Sequence, residues 1–216
     1  MHHTILNLTN LQKEIQLKTN HNSSKIIAVS KTFSVDKIKP LIEYGHCHFG
    51  ENKVQEALDK WTDIKKNFSN LNLHMIGKLQ SNKVKYVIPL FDYIHSLDNL
   101  KLAEKISLEQ KKYNRNLKIF IQVNIGNEEQ KNGIDSSLLD DFYKKCVNDL
   151  NLDIVGLMCI PPQSGDVNIY FNEMKILNKN LKLKHLSMGM SADYLDAIEH
   201  GATFVRIGSK IFGKRT

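Results

Sequence analysis

The chain has 216 residues, 41% of them hydrophobic and 25% charged, with a formal net charge of +7. This length suits one domain or a large single barrel, and the composition excludes a disordered or fibrous form. There is no run of about 18 apolar residues and no basic start followed by an apolar block, so neither a membrane span nor a secretory signal is expected.

The cysteines Cys47, Cys146 and Cys159 are odd in number, far apart and form no CxxC pair. That pattern fits a reducing compartment, here the cytoplasm, rather than a disulfide framework or a zinc finger. The excess positive charge is nearly all lysine, scattered along the chain without interleaved aromatics, so no nucleic-acid partner is expected. Arginine occurs only at positions 115, 206 and 215.

In chain order, a first helix is expected over residues 5–18, with Leu8, Leu11 and Ile15 on one face. Eight short apolar stretches then read as strands: residues 25–31, 46–50, 73–77, 93–97, 118–125, 153–160, 184–189 and 203–208. Several are apolar on both faces, as strands buried on both sides should be. Helical stripes fall between them at Val35, Ile38 and Leu41, at Val54, Ala57, Leu58, Trp61 and Ile64, and at Phe171, Met174 and Leu177. Asp98 and Ser191 are placed as helix N-caps, and Gly45 and Gly201 as C′ residues. The segments IEYGHCHFG and IEHGATFVRIG resemble each other, a hint of repeated βα units. The expected fold is α/β: a single-domain (β/α)8 TIM barrel over residues 1–216 with an extra N-terminal helix outside it. An open doubly wound sheet is the alternative.

Barrel chemistry collects at the C-terminal ends of strands. Lys31 ends the first strand, where lost hydration lowers a lysine pKa and favours the nucleophilic amine needed for imine formation; the plainer alternative is a lysine reaching out of the rim. Ser187 and Gly189 lie in a turn after strand seven, and Gly208 and Ser209 after strand eight, the two loops that often hold phosphate in barrels. Tight turns alone would also explain the glycines. Arg206 lies between Val205 and Ile207, where a charge is costly unless paired, so it serves either a ligand or a structural salt bridge. The run His46, Cys47, His48 is not expected to hold metal. His46 and His48 are expected on one strand face and Cys47 on the other. Glu51 is a possible acid or base, or a helix-capping residue. The charged loop around Glu128 and Lys131 is solvated or takes a second ligand.

The segments AVSKT, FGENKVQE, HMIGKLQSNK, GLMCIPP and LSMGMSADYLDAIEHGATFVRIGSKIFG, in this order, resemble the YggS/PROSC-type pyridoxal phosphate homeostasis proteins. The resemblance implies a barrel like the N-terminal domain of alanine racemase. It also implies pyridoxal 5′-phosphate (PLP) as cofactor, held as a Schiff base on Lys31. Ser187, with Gly189 in its loop, Gly208 and Ser209 would then take the phosphate, Arg206 would face the pyridine nitrogen, and Asn52 would stand in the pocket wall. An arginine donates to that nitrogen without protonating it, which restrains carbanion chemistry.

The resemblance implies a cytoplasmic, monomeric protein that buffers PLP or delivers it to apo-forms of PLP enzymes, not an enzyme itself. A PLP-dependent amino-acid racemase is the alternative. It would need a second base, which alanine racemase takes from a separate domain, and the chain is expected to have no residues left for one.

Overall fold

The computed structural model describes residues 2–18, 24–128, 132–162 and 164–214. Eight parallel strands close into a barrel in sequence order. They are β1 (Lys25–Val29), β2 (His48–Glu51), β3 (Asn72–Met75), β4 (Tyr93–Leu97), β5 (Lys118–Gln122), β6 (Ile154–Met158), β7 (His185–Ser187) and β8 (Phe204–Ile207). Each overlaps one of the eight stretches read from the sequence, with β2 running one residue past its stretch to Glu51 and β3 starting one residue before its own at Asn72. The open-sheet alternative fails because β1 pairs with β8, Ile27 opposite Arg206.

Helices cover the outside: α1 (His3–Lys18), α2 (Val35–Glu43), α3 (Val54–Asn67), α4 (Val84–Val87), α5 (Leu100–Tyr113), α6 (Leu139–Lys144), α7 (Val167–Asn180), α8 (Tyr194–Glu199) and α9 (Ser209–Phe212). Their stripes form the main core against the outer faces of the strands, with Ile38, Leu41, Ala57, Trp61, Phe171 and Met174 all buried. The leading helix α1 buries Leu8, Leu11 and Ile15, as its periodicity predicts. It spans the seam where β8 meets β1: the Asn7 side-chain amide donates to the Ile211 carbonyl of α9, the Tyr194 hydroxyl to Glu14, and the Lys18 amine to Glu199 of α8.

Inside the barrel a second cluster joins Ile27, Tyr93, Phe120, Met158 and Phe204. The rings of His74 and His95 stack on Tyr93 and Phe120 at 4.2 and 4.3 Å. The barrel is therefore filled with side chains, which leaves ligand space at its rim.

Two helix starts differ from expectation. The N-cap of α5 is Asn99, whose side chain accepts from the Leu102 amide, rather than Asp98. Asp193, not Ser191, occupies the N-cap position of α8. In both cases the chain runs on as loop past the residue expected to cap it. The strand β2 begins only at His48, so alternation does not extend to His46. His46 lies edge-on to Phe49, while His48 meets His74. No cluster of three metal-ligating side chains exists among the described residues. Residues 129–131, including Lys131, lie outside the described residues.

Candidate functional site

At the C-terminal end of the barrel a cavity of about 580 Å3 is lined by Lys31, Asn52, Arg206, Gly208 and Ser209, among others. Five of the seven residues singled out in the sequence thus meet on one wall, although Lys31 and Arg206 stand at opposite ends of the chain.

Lys31 follows β1 in a tight turn, with the Phe33 amide donating to the Ser30 carbonyl at 3.1 Å. The next residue, Thr32, has φ +67°, a costly conformation for a β-branched residue. It is held there by its amide, which donates to Glu56 Oε1 at 2.5 Å. Lys60 of α3 bridges the same region: its Nζ donates to the Ser30 carbonyl and Glu56 Oε1 at 2.8 Å and pairs with Glu51 Oε1 at 2.7 Å. Glu51 Oε1 also accepts from Ser30 Oγ and Trp61 Nε1. Burial pushes the Glu51 carboxyl up, and the Lys60 charge opposes that shift. Glu51 is thus part of the anchor that fixes the Lys31 turn to α3. It does not line the cavity, so the acid–base alternative finds no support.

Asn52 turns into the cavity, and its Oδ1 is buried with no hydrogen-bond partner. Buried amide oxygens are normally satisfied, so this atom marks a place for a donor. Gly77 packs against the Asn52 backbone, where a Cβ would stand 2.4 Å from the carbonyl oxygen.

Strand alternation sends Phe204 and Arg206 inward from β8. The Arg206 guanidinium is buried, and one Nη donates to the Ser187 carbonyl at 2.7 Å and to Ser187 Oγ at 2.9 Å. The other Nη donates to the Cys159 carbonyl at 2.8 Å. These bonds use three of its five N–H groups. Arg206 makes no ion pair among the described residues, so the structural salt bridge weighed from sequence is not met. Burial pulls its pKa below the ordinary arginine value, opposed by Cys159 and Asp193. The Cys159 thiol itself is pushed up to about 12 by burial and is no nucleophile.

Ser187 and Gly189 are not brought to the cavity wall. Ser187 is fully buried beneath it, its Oγ shared between Arg206 and His95. Gly189 has φ +87° and is backed by α8, where a Cβ would lie 2.6 Å from that of Ala197. The same loop instead delivers Ser191 and Ala192 to the cavity. A turn closed by the Met190 amide, which donates to Asp193 Oδ1 at 2.6 Å, places them there. Across from them, Gly208 and Ser209 begin α9. The amides of Ile211 and Phe212 return to the Gly208 carbonyl. Those of Ser209 and Lys210, first in the helix, have no intrahelical acceptor.

Sequence reasoning missed Lys214, a second amine on the cavity wall, because one more lysine in a lysine-rich tail carries no signal. It also missed the apolar rim of Ile160 and Met190, both about four-tenths exposed.

Residues 6–216 match the family model of the alanine racemase N-terminal domain. The pyridoxal phosphate homeostasis protein of Aquifex aeolicus is 40% identical over 203 residues, covering 90% of this chain and 88% of that relative. The protein of the same name from Pasteurella multocida is 37% identical, covering 97% and 96%. This chain belongs to the pyridoxal phosphate homeostasis protein family. Consistent with that family, PipY of Synechococcus elongatus, solved with PLP bound, matches with a TM-score of 0.87 at 31% identity, over 97% of this chain and all of that one. An alanine racemase of Clostridium difficile matches with a TM-score of 0.74 at 17% identity, over 98% of this chain and 56% of the racemase, which shows the shared barrel fold alone. The resemblance of the five sequence motifs to the homeostasis family therefore holds across nearly the whole chain.

Proposed function

We propose that this chain binds PLP in the cavity at the barrel's C-terminal end, with Lys31 as its Schiff-base residue, and serves PLP homeostasis by holding, buffering and delivering the cofactor. The observation that carries the reading is the set of complementary groups that the fold gathers on one wall. Lys31 offers an amine, Asn52 Oδ1 lacks a donor, Arg206 keeps N–H groups to spare, and the start of α9 offers amides to an anion. A cavity of about 580 Å3 suits a ligand of this size. PLP supplies an aldehyde that amines capture reversibly. Gly208 and Ser209, with Ser191 and Ala192 opposite, take the phosphate end, and Arg206 donates to the ring nitrogen. Ser187 and Gly189 support this shell from behind.

The same reading makes the protein a carrier rather than an enzyme. A guanidinium donates without protonating the ring, so a substrate carbanion would gain little. Among the described residues lining the cavity, the ionisable side chains are Lys31, Arg206 and Lys214, with no carboxylate, histidine, cysteine or tyrosine opposite Lys31. We place it in the cytoplasm as a monomer, with apo-forms of PLP enzymes as recipients. The racemase reading keeps one observation in its favour, the second amine of Lys214.

The deciding experiment is an absorbance spectrum of the PLP-loaded protein, followed by borohydride reduction and peptide mapping. A pyridoxyl group on Lys31 is expected, and one mainly on Lys214 or elsewhere sinks the assignment. Incubation with L-alanine in deuterated water separates carrier from racemase. α-Deuteration well above that caused by free PLP, and lost in Lys31→Ala, would establish the racemase.

A further inference from the structure

A line of buried side chains crosses the barrel beneath the cavity. Arg206 Nη donates to Ser187 Oγ at 2.9 Å. Ser187 Oγ lies 2.9 Å from His95 Nδ1, His95 Nε2 2.9 Å from His74 Nδ1, and His74 Nε2 2.9 Å from His48 Nδ1. Ser187, His74 and His95 are fully buried, and His48, at the start of β2, is half-buried at the opposite end of the barrel. The line connects five different strands: β8, β7, β4, β3 and β2.

Its polarity follows from one end. A guanidinium can only donate, so Ser187 Oγ accepts from Arg206 and has one proton of its own to give. Among the described residues its one other partner is His95 Nδ1. If His95 donated there instead, the Ser187 hydroxyl proton would be buried without an acceptor. His95 Nδ1 is therefore the acceptor and its Nε2 carries hydrogen. That hydrogen goes to His74 Nδ1, and the Nε2 hydrogen of His74 goes to His48 Nδ1. Each ring is neutral, and each turns its lone pair towards the arginine. Burial holds the pKa of all three rings down, that of His48 to about 4, which keeps them neutral at ordinary pH.

We propose that Ser187, His95, His74 and His48 are positioning residues that hold Arg206 by a one-way chain of neutral dipoles in place of a carboxylate counterion. A carboxylate would fix the guanidinium but cancel its charge. A neutral chain fixes it equally and leaves the charge facing the cavity. The link to PLP affinity rests on the proposed function above; the chain's own geometry does not.

The first test needs no cofactor. Long-range 15N–1H correlation on the histidine-labelled, unloaded protein at pH 7.5 is expected to show His48, His74 and His95 as neutral Nε2–H tautomers. An Nδ1–H or doubly protonated pattern for His74 or His95 overturns the chain. The second test compares His95→Phe, which can keep the stack on Phe120, with His95→Gln, which keeps an acceptor and donors. In the unloaded protein, slowly exchanging guanidinium signals of Arg206 are expected in wild type, lost in His95→Phe and recovered in His95→Gln. In the loaded protein, the PLP dissociation constant should rise about tenfold in His95→Phe, with Ser187→Ala adding nothing further in the double variant. A folded His95→Phe with unchanged arginine signals and PLP affinity reduces the line to core packing. Failure of wild type to bind PLP would remove the cavity reading, while the tautomer and guanidinium signals still decide the chain.

Discussion

Ser209 tests the phosphate end of the site at the level of one residue. It lines the cavity at the first position of α9. In Ser209→Asp a carboxylate replaces a hydroxyl near the proposed phosphate. At about 5 Å and an effective dielectric near 20, one pair of like charges costs roughly 3 kcal/mol. The PLP dissociation constant is expected to rise roughly a hundredfold, and that of pyridoxal, which has no phosphate, to stay nearly level. Equal losses for both ligands in an equilibrium titration would move the phosphate elsewhere. Lys31 and Arg206 were legible in the sequence because a long charged residue in an apolar strand is costly and demands a reason. Ser187 lies one layer behind the cavity wall. Its turn was visible, but which serine of LSMGMS reaches the cavity depends on the Met190–Asp193 bond, which only the folded loop shows. His74 and His95 fall within two of the stretches that read as strands. The available signal was a histidine in each of two otherwise apolar strands, where a buried ring needs partners; those partners are distant in sequence.

At the level of elements, the two similar segments fold alike. After α2, the Gly45 amide donates to the Ile42 carbonyl and the His46 amide to that of Leu41. After α8, Gly201 donates to Ile198 and Ala202 to Ala197. Both are Schellman endings, with glycine φ of +97° and +92°. Beyond the adjoining residues, no heavy atom lies within 4 Å of a Cβ built at either position, so only the backbone should object to alanine there. Gly45→Ala is expected to cost about 1 kcal/mol in urea unfolding. Gly189→Ala has the same backbone penalty plus a collision with Ala197, and overpacking adds roughly 1–3 kcal/mol. Equal costs at the two sites would show that the loop before α8 yields freely. All eight strands were legible because a strand buried on both faces leaves a short apolar run, whereas helix starts were misplaced because Asp98 and Asn99 are equally good caps and only tertiary fit chooses between them.

For the whole molecule, the histidine-filled interior sets the response to acid. His46 and His48 are pulled down to about 4, and His74 and His95 also lie well below the ordinary value of 6.5, in each case chiefly through burial. Between pH 6.5 and about 4 the unfolded chain takes up protons that the folded one refuses. Stability is therefore full above pH 6.5 and lost as pH falls, each such histidine adding a slope of about 1.4 kcal/mol per pH unit. Glu51, raised by burial, acts in the opposite sense. The urea midpoint should be flat from pH 8 to 7 and fall steeply from 6.5 to 5, and a midpoint still level at pH 5 would mean that these rings are not buried neutral. Closure of the barrel has a consequence for the order of events at the ribosome. The strand that leads to Lys31 is the first to be made and the strand bearing Arg206 the last, yet Ile27 and Arg206 sit side by side in the finished sheet. A nascent chain carries Lys31, the proposed Schiff-base residue, long before it has the groove to surround it. On the proposed reading, capture of the aldehyde waits for β8, the strand that closes the barrel.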